Sequence, residues 1–422
     1  MKSNILKRGF LGLIITQFFG AANDNILKGV LTFMVIDGAW KGRLGTGGQG
    51  IVGLCFTLPF ILLSGYAGQF ADRYSKRSVS IWVKVSEVPI ALAAMIGLWT
   101  GELWTTLIAL ILLTTQSTFF GPAKYGMIPE LVAPDDLSRA NGTINMMTNI
   151  AVIVGTLAAG LIADRYNPLP QPNQPSPEPQ LWLPGAAMLI VALAGLASVF
   201  FIPSLPPGNR NLKFNWNPFA IYIAALREMA KSPLLGVAMA WGYFYFLAGL
   251  ALLIIPEYTL VLNVSREKAS YLLGIMGVAI GVGSAAAGLI SGHRIETRLV
   301  PIGALGMMVF FIALGLAPVT FWVVGALVLC AGFFAGFYII PLQALLQKLS
   351  PADERGRFLG TSNGISFAFL ALASLVYWTI RPGFGAAPQR VFFVCAGLIL
   401  LGSLLFFRQL RRVIFQREQA VQ

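Results

Sequence analysis

Twelve apolar runs of about 20 residues punctuate the sequence, near 9–36, 50–70, 79–99, 103–123, 141–163, 182–203, 234–260, 270–292, 299–318, 321–346, 358–380 and 388–408. About 20 residues at 1.5 Å rise cross a 30 Å hydrocarbon core. Lipid cannot satisfy free backbone groups, so each run must be a helix. Only 11% of the 422 residues are charged and 56% are apolar. An average soluble protein has about 25% charged residues. This chain lacks the polar surface to coat a soluble core of that size, which excludes a soluble enzyme and a disordered protein. The expected fold is an all-α integral membrane protein with twelve transmembrane helices.

A net charge of +13 suits nucleic acid in a soluble chain. Here its distribution points elsewhere. With a cytoplasmic N-terminus and one crossing per run, 21 of the 30 Lys and Arg fall on inner segments, seven on outer segments and two within spans. That is the positive-inside rule, and it sets orientation with both termini cytoplasmic in a multi-pass inner-membrane protein. No nucleic-acid partner is expected. The three cysteines all lie within apolar runs and no Cys/His cluster exists, so neither a disulfide framework nor a metal site is expected, and no cofactor motif is present. Lys2, Lys7 and Arg8 before Phe10–Phe19 imitate a signal peptide, but the apolar run resumes to Ile36 and reads as a retained first span.

Residues 204–232 form the longest polar inner stretch and read as a cytoplasmic linker with a short amphipathic helix, dividing bundle 1–203 from bundle 233–422. The halves repeat. Gly68-Gln69-Phe70-Ala71-Asp72-Arg73 ends span 2, and Gly288-Leu289-Ile290-Ser291-Gly292-His293-Arg294 ends span 8 at an offset of 221. Pro134-Asp135-Asp136 and Pro351-Ala352-Asp353 precede spans 5 and 11 at an offset of 217. A third copy, Gly160-Leu161-Ile162-Ala163-Asp164-Arg165, ends span 5 on the opposite side, as inverted repeats within each half would produce. Two pseudo-symmetric six-helix bundles with this internal repeat resemble the major facilitator fold. The loop Gly68-x-x-Ala71-Asp72-Arg73-x-x-Lys76-Arg77 is similar to that superfamily's loop between spans 2 and 3. Asp72, Arg73 and Arg77, with Glu130, Arg139 and Arg294, are therefore the candidate inner gate.

Ionisable groups inside a span cost roughly 2.5–3.5 kcal/mol each at the helix centre, so they point to function. Span 1 holds Asn23, Asp24, Asn25 and Lys28, and Gln17, Ala21, Asp24 and Lys28 trace one polar stripe. Lipid would reject that stripe, so it should face a polar cavity or another helix; Asp24 and Lys28 could also neutralise each other. In span 4, Thr114, Ser117, Gly121 and Lys124 share a face, and Pro122 is expected to interrupt the helix and free backbone groups beside the lysine. Lys84 and Glu87 in span 3 read as a structural pair. The second half offers Glu257 as its one acid well within a span, and otherwise aromatics, Tyr243–Phe246 and Phe333–Tyr338. A charged half and an apolar half suit an amphiphile. Tyr245 and Phe337 are the expected contacts for its tail.

At Gly20-Ala21-Ala22-Asn23-Asp24-Asn25-Ile26-Leu27-Lys28 and Phe120-Gly121-Pro122-Ala123-Lys124-Tyr125-Gly126, the chain resembles the bacterial lysophospholipid transporter family. The likeness continues through Pro129-Glu130-Leu131, Ala140-Asn141-Gly142 and Pro341–Gln347. The resemblance implies movement of lysophospholipid, chiefly lysophosphatidylethanolamine, to the cytoplasmic leaflet for re-acylation. It also implies headgroup roles for Asp24 and Lys124, a monomeric carrier, and a lysophospholipid acyltransferase as partner. The chain departs from the family at one place. Where the family carries an arginine within span 7, alignment on Trp241-Gly242 and Pro256 puts Ala248, so phosphate neutralisation falls on Lys124 and Lys28 and the headgroup stays open. The alternative is a proton-coupled exporter of drugs, siderophores or other small molecules with Asp24 as its proton site. An enzyme is not expected, since the single histidine, His293, lies in a loop.

Overall fold

The computed structural model describes residues 8–133, 137–168, 177–206, 214–217, 219–291, 295–316, 320–350 and 355–418. Every apolar run is helical. The helices are α1 (Arg8–Ile36), α2 (Gln49–Arg73), α3 (Lys76–Thr100), α4 (Leu103–Leu131), α5 (Leu137–Tyr166), α6 (Leu183–Val199) and α7 (Ala220–Met229). They continue with α8 (Leu234–Ile254), α9 (Tyr258–Leu262), α10 (Arg266–Ser291), α11 (Leu299–Gly315), α12 (Phe321–Leu349), α13 (Arg355–Ile380) and α14 (Val391–Glu418). Among the described residues nine helices are long and apolar enough to cross a membrane. The remaining three of the twelve runs are α6 and α11, apolar at 17 residues, and α1, 29 residues long with Asp24 and Lys28 inside it.

Two compact units result. Unit 1 holds Met1–Gly45, Cys55–Phe219 and Ser265–Ser270; unit 2 holds Thr46–Leu54, Ala220–Val264 and Tyr271–Gln422. In unit 1, α1 packs on α4, α5 and α6, and α3 packs on α4 and α6. In unit 2, α8 packs on α12, α13 and α14, and α11 packs on α12 and α14. These are the same pairings carried forward by half the chain, which is the pseudo-symmetry that the repeated motifs imply. Membrane helices associate through close packing, and small residues permit it. Gly155 of α5 meets α1 so closely that a Cβ there would lie 2.5 Å from the Ala22 carbonyl oxygen.

Prolines act differently in two helices, and one departs from expectation. Pro122 does not interrupt α4, which runs unbroken from Leu103 to Leu131 with Pro122 and Pro129 inside it. Neighbouring helices and local adjustment re-satisfy the freed backbone in membrane helices, so a proline need not end one. Pro256, in contrast, sits in a 3-10 turn, Ile255–Glu257, that separates α8 from α9.

The linker is anchored at Phe214 and Asn215, within its length. Phe214 stacks on Tyr66 at 5.6 Å, and Asn215 donates its N–H to Gln69 Oε1 at 2.6 Å while accepting from Gln69 Nε2 at 3.1 Å. The expected short helix is α7, whose Ala225 and Met229 enter the core of unit 2 while Ile223 stays exposed.

Candidate functional site

Unit 1 carries a polar interior built on α1, α3 and α4. Asp24 is 7% exposed and accepts a hydrogen bond from Ser117 Oγ on α4 at 2.7 Å. Its Oδ1 has no partner among the described residues. No ion pair joins Asp24 to Lys28, although they are one turn apart. The Lys28 ammonium instead lies 4.6 Å from the centre of the Phe56 ring. Lys124, 7% exposed, sits 4.5 Å from the centre of the Tyr125 ring. A desolvated cation over an aromatic face gains about 2 kcal/mol, less than a carboxylate partner would give. Among the described residues neither lysine has a carboxylate partner, and no cation lies within ion-pair distance of Asp24, although the Lys84 and Glu87 charges of α3 both act on it.

Beside this group lies a closed one. Lys84 and Glu87, 1% and 0% exposed, pair at 2.6 Å within α3. Glu87 also accepts from Asn23 Nδ2 at 2.6 Å. Gly20 makes room for the pair, since a Cβ there would lie 2.6 Å from Lys84 Nζ. Removing one member of a buried pair typically costs about 3–5 kcal/mol because the other charge stays buried alone. The pair therefore reads as architecture, and it fixes the rotation of α1 through Asn23. Gln17 and Asn25 are engaged as well. Gln17 donates to Thr148 of α5 at 3.0 Å, and Asn25 donates to the Ala21 carbonyl at 2.8 Å. The structure thus brings Asp24 and Ser117 together and turns the amide nitrogens of Asn23, Gln17 and Asn25 toward other partners, with Asn23 Oδ1 left without one among the described residues.

Unit 2 holds the aromatic candidates. Tyr245 packs edge-on against Trp241 at 5.1 Å, and Phe337 lies 4.9 Å from Phe333. Ala248 packs against the apolar core of the same unit. The buried acid Glu257 is saturated. It accepts from Gln49 and Tyr377, and from Arg381 through Nε at 2.6 and 2.9 Å and through Nη2 at 2.5 Å.

Sequence patterns do not point to Gln49, Tyr377 or Arg381, nor to Arg266 of unit 1. Arg266 is fully buried, donates to Asp37 at 2.5 Å and to the carbonyls of Ala163 and Asn167, and lies 3.5 Å from Asp164. Asp164 also receives the N–H groups of Arg266 and Glu267, capping α10. The one available signal was Asp164 itself, the acid of the third glycine-motif copy.

Of the candidate gate, Glu130 pairs with Lys76 at 2.5 Å, Arg77 donates to the Ile202 carbonyl at 2.7 Å, and Arg73 lies over the Tyr74 ring at 5.6 Å. Asp72 is exposed and makes no ion pair among the described residues. Arg139 falls within α5, its side chain outside the description; Arg294 and the Pro134–Asp136 and Pro351–Asp353 motifs lie outside the described residues.

One pattern suggests hydrolase chemistry. Gly360-Thr361-Ser362-Asn363-Gly364 matches Gly-x-Ser-x-Gly, whose serine in a hydrolase stands exposed on a sharp strand-to-helix turn. Here it lies inside α13, and Ser362 is 1% exposed and donates to the Phe358 carbonyl at 2.9 Å. The match carries no nucleophile.

The Major Facilitator Superfamily model matches residues 13–375. Lysophospholipid transporter LplT of Photorhabdus laumondii is 30% identical over 97% of this chain and 98% of its own length. The protein of the same name from Cronobacter sakazakii is 29% identical over 86% of this chain and 85% of its own. Among solved structures, a bacterial homologue of the human lysosomal transporter Spinster, inward-facing and unoccupied, superposes with a TM-score of 0.70 at 14% identity, over 96% of this chain and 98% of that one. A POT family transporter in complex with a conjugated peptide gives 0.72 at 12% identity, over 96% of each chain. At those identities the structures speak for the fold alone. With the whole length matched in sequence and a family model spanning most of it, the chain belongs to the major facilitator superfamily and, within it, to the lysophospholipid transporter family.

Proposed function

We propose that this protein is a multi-pass transporter that moves lysophospholipid across or between the leaflets of a bacterial inner membrane by alternating access. The observation that carries the reading is the unpaired charge of unit 1: Asp24 without a cation, Lys28 and Lys124 without a carboxylate, all on α1 and α4. A lysophospholipid headgroup supplies both missing partners, a phosphate for the lysines and an amine for Asp24. Because Ala248 replaces the family's arginine, the phosphate falls to Lys124 and Lys28. Ser117 orients Asp24, while Asn23 and Gln17 tie α1 to α3 and α5 around it. Tyr245 and Phe337 present apolar rings suited to an acyl chain. The gate role of Asp72, Arg73, Arg77, Glu130, Arg139 and Arg294 rests on the repeated motifs.

Further parts of the reading follow from chemistry and family. Both termini lie in the cytoplasm, as the basic inner loops favour. The protein acts as a monomer and delivers substrate to a lysophospholipid acyltransferase. A screen on purified protein tests the substrate class. Lysophospholipids should raise its melting temperature in detergent, and soluble drugs and siderophores should not. Stabilisation by soluble compounds with substrate-driven proton movement in liposomes would instead support the exporter.

A further inference from the structure

The hydrogen-bond chain that ends on Asp24 begins on a residue with no role so far. Gln116 is 6% exposed and donates Nε2 to Ser117 Oγ at 3.1 Å; Ser117 Oγ donates to Asp24 Oδ2 at 2.7 Å. With Ser117 donating to Asp24 Oδ2, the serine oxygen is left to accept from the amide nitrogen, so the Gln116 amide oxygen is the end that Ser117 does not use. What is left over at the two ends is Gln116 Oε1 and Asp24 Oδ1. Both are buried, and neither has a partner among the described residues.

Leaving a buried acceptor unsatisfied costs about 1–3 kcal/mol, and folded proteins keep few such groups. Two at opposite ends of one chain are held in fixed relation by three linked side chains. Both being acceptors, they match a ligand that offers donors. The nearest lysines along the same helices, Lys28 and Lys124, direct their ammonium groups to aromatic rings. We infer that Gln116 is a specificity-determining residue of the headgroup site, its Oε1 accepting an N–H from the same headgroup amine that Asp24 binds. This rests on the lysophospholipid reading and extends it by one residue and one rule. Two of the N–H groups on a primary ammonium have an acceptor here, Asp24 Oδ1 and Gln116 Oε1.

The test uses three lysophospholipids with one acyl chain, whose headgroup nitrogen is a primary ammonium, a dimethylammonium or a trimethylammonium. These carry three, one and no N–H. Affinity is measured for the purified wild type and for Gln116→Met, which keeps the shape and removes the polar atoms. Wild type should bind more weakly as N–H groups are lost. Gln116→Met should weaken the primary amine about tenfold and leave the trimethyl lipid nearly unchanged, so the series flattens. Equal weakening of all three lipids would show a merely structural role and overturn the inference. No change for any of them would place water on Oε1 and overturn it too. If methionine does not fold, Gln116→Leu takes its place and is read the same way. A series flatter than wild type supports the role, and a series parallel to wild type overturns it. Wild type binding none of the three would instead reject the lysophospholipid reading itself.

Discussion

Two buried carboxylates, Asp24 in unit 1 and Glu257 in unit 2, are nearly equal in burial and opposite in company. Glu257 accepts from Gln49, Tyr377 and three times from Arg381, so both its oxygens are used. Asp24 accepts from Ser117 alone, and its other oxygen has no partner among the described residues. Burial therefore does not distinguish a functional acid from a structural one. Satisfaction does. A saturated buried charge has nothing left for a ligand, whereas an unsatisfied one is stabilised only when something else arrives. The same contrast recurs within unit 1 between Glu87, closed by Lys84 and Asn23, and Asp24 next along α1.

Substitutions at the saturated sites should hurt folding first. Glu257→Ala leaves Arg381 buried without its acid, and should lower stability by about 3–5 kcal/mol. Thermal unfolding in detergent would show it, and a melting temperature within a degree or two of wild type would break the comparison. Gly20→Ala places a methyl 2.6 Å from Lys84 Nζ and pushes the ammonium off Glu87. Overpacking of this kind should cost about 1–3 kcal/mol, visible in the same assay.

Substitutions at the unsatisfied sites should hurt recognition instead. Lys124→Met should leave unfolding near wild type and raise the KM for lysophospholipid about tenfold, equivalent to about 1.4 kcal/mol. Lys28→Met should act the same way and less strongly, because Lys28 is only half-buried. A fall in stability matching the loss of transport would place these lysines with Glu257 after all. The smallest effect belongs to Glu130→Gln. The pair is partly exposed, 15% at Lys76 and 27% at Glu130, and a pair open to solvent contributes about 1 kcal/mol or less, so the unfolding curve should move little.

Much of this was legible in the residues. Apolar length gave the helices, and the glycine motifs gave the repeat that reappears as equivalent pairings of α1 and α8, α3 and α11. Local signals were less reliable where lipid changes the rules. Pro122 would end a helix in water, yet α4 passes through it. Asp24 and Lys28 stood out at once as charges inside an apolar run. Their partners did not, because partner choice is a long-range matter. Ser117 lies 93 residues from Asp24, and Glu87 lies 64 from Asn23. One turn of helix suggested an Asp24–Lys28 pair, yet Asp24 meets Ser117 of α4 and Lys28 meets the Phe56 ring of α2. Gln116 was hidden for the same reason: a polar residue in a run of threonines and serines shows nothing of its free oxygen.

The most direct measurement is transport by Asp24→Asn in proteoliposomes, read beside its unfolding temperature. Asparagine keeps an acceptor for Ser117, removes the charge and turns the free acceptor oxygen into an N–H donor. The account predicts at least a tenfold loss of lysophosphatidylethanolamine uptake with the unfolding temperature held or raised. Full uptake by that variant, or a collapse of its fold like that expected of Glu257→Ala, would contradict it.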